Sequence, residues 1–68
     1  MRLSARNVLK GKITEVKKGT TTAHVLIDVG GTILTASITN ESVDDMKLTV
    51  GQSAYAVIKS PDVMIGID

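Results

Sequence analysis

Three short stretches of the sequence concentrate hydrogen-bond donors: Ser4-Ala5-Arg6-Asn7, Thr39 through Ser42, and Lys59-Ser60. Arg6 carries five N–H donors in a rigid fork, Ser4 adds a hydroxyl and Asn7 an amide. Lys59 supplies an ammonium, while Thr39, Ser42 and Ser60 supply hydroxyls. A set dominated by donors, two of them cationic, suits a partner that only accepts hydrogen bonds, such as an oxyanion. If Thr39–Ser42 opens a helix, its free backbone N–H groups favour an anion further. A fourth stretch, Lys17-Lys18-Gly19-Thr20, reads as a turn whose lysines and N–H groups offer a second place for one.

Each of these residues has a blander use. Arg6 can be a surface residue satisfied by Glu41, Asp44 or Asp45, at little energetic consequence. Thr39 and Ser42 serve as plain helix caps, Lys59 as a solvated strand end, and Ser60-Pro61 as a corner. His24 alternates with apolar neighbours and reads as a strand-face residue. The case for a site rests on the stretches in combination.

Other chemistries find less support. No Ser/His/Asp arrangement is spaced for a nucleophile and its base, and no glycine-rich phosphate loop is present. Asp44 and Asp45 are neighbours, which point apart on a helix. The chain has no cysteine and one histidine, so neither a thiolate nor a histidine-rich metal site can form within it. A net charge of +1 and a single aromatic residue, Tyr55, argue against an oligonucleotide groove. No apolar run is long enough for a membrane span, and the MRLSARN start has no signal-peptide core, so the expected location is the cytoplasm.

The elements that must position these donors follow from pattern. From Leu3 to about Lys17, Ile13, Thr14 and Val16 favour a long strand, with Gly11 marking a bulge or bend; an amphipathic helix is the rival. KKGT is expected to turn about Gly19. TTAHVLIDV alternates, with Val25, Ile27 and Val29 on one face, and Gly30-Gly31 predicts a two-residue hairpin turn. TILTASIT is a third strand with Leu34, Ala36 and Ile38 on one face. Thr39 or Asn40 caps a short helix ending near Lys47. SAYAVIK is a fourth strand and VMIGI a fifth, with Val63, Ile65 and Ile67 on one face. The fold class is therefore all-β with one short helix, a five-stranded OB-like barrel formed by residues 1–68 as one domain.

With 68 residues and no disulfide or metal, such a chain is marginal alone, and a homo-oligomer is the expected remedy. The three donor stretches then converge either at one end of the barrel or across a subunit boundary.

SARNVLKGKI, ITNESV and VIKSPDVMI together resemble the molbindin (Mop) family of small molybdate-binding proteins, also known as TOBE or Mop domains in molybdate transporters and a repressor. The resemblance covers nearly the whole chain. It implies a hexamer built as a trimer of dimers, with oxyanion sites at subunit interfaces. By family position, Ser4, Ala5 and Arg6, Thr39 and Ser42, and Lys59 and Ser60 would bind molybdate. Lys18, Gly19 and Thr20 would belong to a second site near the three-fold axis. Pro61 departs from the family pattern and removes one N–H. The sequence gives no basis for excluding tungstate, which is nearly the same size, whereas cavity size would discriminate against sulfate. The role implied is intracellular storage and homeostasis, without catalysis; the alternative is an oxyanion-sensing module of a molybdate transporter or repressor.

Overall fold

A computed structural model describes residues 1–68. Four strands and a helix follow in order: β1 (Asn7–Lys18), β2 (Thr22–Asp28), β3 (Ile33–Thr39), α1 (Asn40–Met46) and β4 (Ser53–Ile58), with a 3-10 turn at Ser60–Asp62. The strands form one antiparallel sheet in the order β3-β2-β1-β4. β1 is the spine: its first half, Asn7 to Lys12, pairs with β4, and its second half, Lys12 to Lys18, pairs with β2. The sheet curls but does not close, so β3 and β4 are both open edges.

Alternation of side chains explains which face is inside. Ala23, Val25 and Ile27 of β2 are buried, while His24 between them is exposed. Across the ladders, Ile38, Ala36 and Leu34 oppose these three residues on β3, and Val16 and Ile13 oppose Val25 and Ile27 on β1. Ile13, only 1% exposed, and Val43 of α1, at 3%, complete a core of five buried residues with Ala23, Val25 and Ile27. Ala54, Ala56 and Ile58 of β4 face the same way, half-buried against exposed Ser53, Tyr55 and Val57.

Gly11 is where two backbones meet: a Cβ placed there would lie 2.2 Å from the Asp28 carbonyl oxygen, so only glycine fits. The irregularity itself falls three residues later. The register slips between Ile13 and Glu15, leaving Thr14 as the bulged residue. The loop before β4 is tied to the same place, with Ile13 N–H donating to Gln52 O (3.0 Å) and Gly51 N–H to Ile13 O (2.8 Å).

The turns follow their residues, with one displacement. Gly30 and Gly31 adopt φ of 93° and 94°, and Val29 N–H donates to Thr32 O, giving the expected two-residue hairpin turn. Asp28 Oδ1 accepts from both glycine N–H groups, at 3.1 and 2.7 Å. The first hairpin is closed by Gly19 N–H donating to Thr22 O at 2.7 Å, so its centre is Thr20-Thr21 and not Gly19.

Three expectations need correction. β1 starts at Asn7, so Ser4, Ala5 and Arg6 precede the strand instead of lying in it. Lys59 falls just outside β4. The fifth strand is absent: residues 63–68 pair with nothing, and Met64, Ile65 and Ile67 are 90% or more exposed. Their alternation and β-branching are sound local signals, but a strand needs an edge to pair with, and in one chain Pro61 and the short turn lead this segment away from both edges. The fold is thus a curled four-stranded half-barrel with one short helix.

Candidate functional site

The donor stretches fall into two groups at opposite ends of β1. Asn7 faces Ile58 in the β1–β4 ladder, so Ser4-Ala5-Arg6 and Lys59-Ser60 leave the sheet side by side. The Asn7 side-chain amide fastens the two segments by donating to Ile58 O at 3.2 Å. Arg6, Lys59, Ser4 and Ser60 are exposed and Ala5 is half-buried. None of the four polar side chains has a hydrogen-bond or ion-pair partner within the chain, so a guanidinium, an ammonium and two hydroxyls stand available together.

The second group surrounds the start of α1. Thr39 is its N-cap: Thr39 Oγ1 accepts from Ser42 N–H (3.0 Å) and donates to Ser42 Oγ (2.8 Å). Asn40 N–H donates to Thr21 O (2.9 Å), and Asn40 Nδ2 to Gly19 O (3.0 Å), which holds the first hairpin turn against the helix. Lys18, opposite Ala23 in the ladder, pairs its ammonium with Asp44 of α1. Lys18, Gly19 and Thr20 therefore sit with Thr39 and Ser42, although the sequence assigns them to separate sites. Here the polar groups are engaged with each other. The helix ends at Lys47, left-handed at φ 51°, with Leu48 N–H donating to Val43 O at 3.1 Å.

The two groups do not meet in one chain. At about 3.3 Å per residue, β1 alone runs the length of the molecule, whose longest dimension is 34 Å. Of the two arrangements open to the sequence, convergence at one end of a single barrel is ruled out. Any site that uses both groups takes them from different chains.

Sequence reasoning took Asn7 as a donor and Asn40 as a possible cap, and missed the bracing bonds that both make. Each braces a junction through an amide to a distant carbonyl. The available signal was an asparagine at the boundary of an element, where its side chain competes for backbone groups. Nothing in the chain gathers three or more His, Asp or Glu side chains into a metal site. No helix is long and apolar enough to cross a membrane.

Residues 3–65 match the family model of the TOBE domain. The chain belongs to the TOBE domain family. Among TOBE relatives, it is 48% identical over 66 residues to molybdenum-pterin-binding protein 3 of Clostridium pasteurianum, covering 96% of this chain and 97% of that one. The solved structure of a molybdate-binding protein from Sporomusa ovata superposes with a TM-score of 0.94 at 36% identity, over 98% of this chain and all of that one. The cytoplasmic molybdate-binding protein ModG, solved with molybdate bound, gives a TM-score of 0.94 at 40% identity; the match covers all of this chain and 49% of ModG. The half-barrel with its short helix is thus the fold these TOBE proteins share.

Proposed function

We propose that this chain binds molybdate by hydrogen bonds and charge, with no chemical step, and that residues 1–68 act as one domain in doing so. The observation that carries the reading is the ladder position Asn7–Ile58, which sets unpartnered Ser4 and Arg6 beside unpartnered Lys59 and Ser60. Similarity along the whole chain to molybdate-binding proteins supports molybdate as the anion.

Molybdate is a tetrahedral dianion at neutral pH. Burying it unpaired would be costly, so it needs cationic and neutral donors on several sides. Arg6 offers a planar fork for two oxygens, and Lys59 a point charge that can adjust. Ser4 and Ser60 add neutral donors. Thr39 and Ser42, lying at the far end of β1, would contribute from a second copy of the chain, so the anion sits between subunits of a homo-oligomer, a hexamer in this reading. The same donors would accept tungstate. Lys18, Gly19 and Thr20 would form a second, weaker site once Asp44 releases Lys18. The role that fits is reversible storage in the cytoplasm.

Isothermal titration of the full chain with molybdate, and with sulfate as control, tests this. Saturable heat with molybdate and little with sulfate is expected. Absence of saturable binding with either anion would defeat the reading and leave the donors as solvated surface.

A further inference from the structure

β1 begins where β4 ends. Asn7 is the first residue of β1, Ile58 the last of β4, and the two face each other at the final rung of their ladder. No ladder pair lies beyond that rung, so the sheet itself does not fix Ser4-Ala5-Arg6 relative to Lys59-Ser60. Terminal rungs are also where a sheet opens first. One side-chain bond crosses this end. Asn7 Nδ2 donates to Ile58 O at 3.2 Å, in a partly buried setting, and joins residues 51 positions apart.

The empty site works against that rung. Arg6 and Lys59 are the next residues outward from it, and neither has a carboxylate partner, the one ion pair of the chain being Lys18–Asp44. Like charges on facing strand ends repel. The rung is therefore held shut, by its ladder and by the Asn7 amide, against two cations. A bound anion would reverse the balance. A site whose donors are already gathered binds more tightly than one that must gather them, because apparent affinity falls with the fraction of chains in the competent arrangement.

The residue type suits this task. An asparagine amide donates without carrying charge. A cationic side chain at position 7 would add to the repulsion. An ionised aspartate could only accept, and would oppose both the Ile58 carbonyl and an anion. A serine hydroxyl ends one atom short.

We propose that Asn7 is a positioning residue of the oxyanion site: its amide closes the terminal rung and so keeps Arg6 and Lys59 together, without holding the anion itself. The inference rests on the molybdate reading above and deepens it. Within Ser4-Ala5-Arg6-Asn7, the last residue then has a different task from the first three.

The test compares the full chain with Asn7→Leu, which removes the donor at similar volume. Calorimetric titration of the parent with molybdate comes first. A parent that does not bind defeats the molybdate reading, and this proposal with it; a fault in the role of Asn7 alone shows only in the variants. Asn7→Leu is expected to weaken molybdate roughly 2- to 13-fold, the worth of one neutral hydrogen bond. In the anion-free protein, amide hydrogen exchange is expected to quicken at the Asn7–Ile58 end alone, with the β1–β2 ladder and the urea midpoint unchanged. The decisive measurement repeats the substitution in a Lys59→Ala background. There are then no longer two cations to gather, and the penalty of Asn7→Leu is expected to shrink to less than half on a logarithmic scale. A penalty of equal size with and without Lys59 would mean that Asn7 touches the anion directly. An unchanged affinity in Asn7→Leu would mean that the rung needs no amide. A loss of affinity matched by a lower urea midpoint and faster exchange throughout the sheet would make Asn7 a residue of the fold. Each of these three results overturns the proposal.

Discussion

At the Lys18 end of β1, the clustered polar residues are bonded to one another: Thr39 to Ser42, Asn40 to the first hairpin turn, Lys18 to Asp44. At the Asn7 end, Ser4, Arg6, Lys59 and Ser60 have no partner in the chain, and only Asn7 is engaged. The first end lies over the buried core, with Val43 sealing it; the second runs out into an exposed apolar segment. The difference separates stability from recognition. Groups already satisfied hold the fold together and gain little from a ligand. Groups left free cost nothing while solvated, and can be satisfied by an anion or a second chain.

That contrast can be broken at either end. The largest effect is expected from Ile13→Ala, which hollows the centre of the small core and should cost about 2–5 kcal/mol of stability. Urea denaturation is expected to show the variant largely unfolded, and a midpoint near that of the parent would mean that the sheet does not depend on this core. Next is Arg6→Ala, at the free end. Removing a charged hydrogen bond worth about 1.5–3 kcal/mol should weaken molybdate roughly 10–150-fold by calorimetry, while the urea midpoint of the anion-free protein stays put. Equal losses in both measurements would show Arg6 to be structural and erase the distinction.

The smallest effect sharpens the comparison. Thr39→Ala removes a cap and should cost about 1 kcal/mol of stability. A loss of affinity beyond what that destabilisation explains would mark Thr39 as a ligand in the assembled site. An unchanged affinity would leave it a cap only. Thr39, with Ser42, is what the two ends would share.

Much of this was legible in the sequence because it is local. The inner faces of β2, β3 and β4 follow from strict alternation, the second hairpin from Gly30-Gly31, and the helix start from Thr39 or Asn40. What was not legible depends on partners distant along the chain. The sequence places the bulge or bend at Gly11, whereas the bulge sits at Thr14 and Gly11 is the point where β1 passes close to Asp28, a contact no neighbouring residue announces. Val63 to Ile67 have a strand's composition, yet pairing requires an edge that one chain does not bring to them. The donor stretches were identified by type, but their division into two groups emerges only from the register that sets Asn7 opposite Ile58 and Lys18 opposite Ala23. Lys18 illustrates the limit of reading one residue at a time. A lysine beside a glycine turn suggests an anion, and the structure gives it the carboxylate of Asp44.

The turn at Ser60–Asp62 has a consequence for how an anion can be gripped there. Pro61 has no N–H, Asp62 N–H is committed to Lys59 O at 2.9 Å, and Val63 N–H to Ser60 O at 3.2 Å. The corner therefore cannot form a main-chain nest of the kind that cradles phosphates in many loops. In the proposed site its grip would be made by the tips of Lys59 and Ser60, long and short arms on a fixed elbow. On this side an anion held that way would be let go by swinging two side chains, without unwinding any backbone, in keeping with the reversible storage proposed.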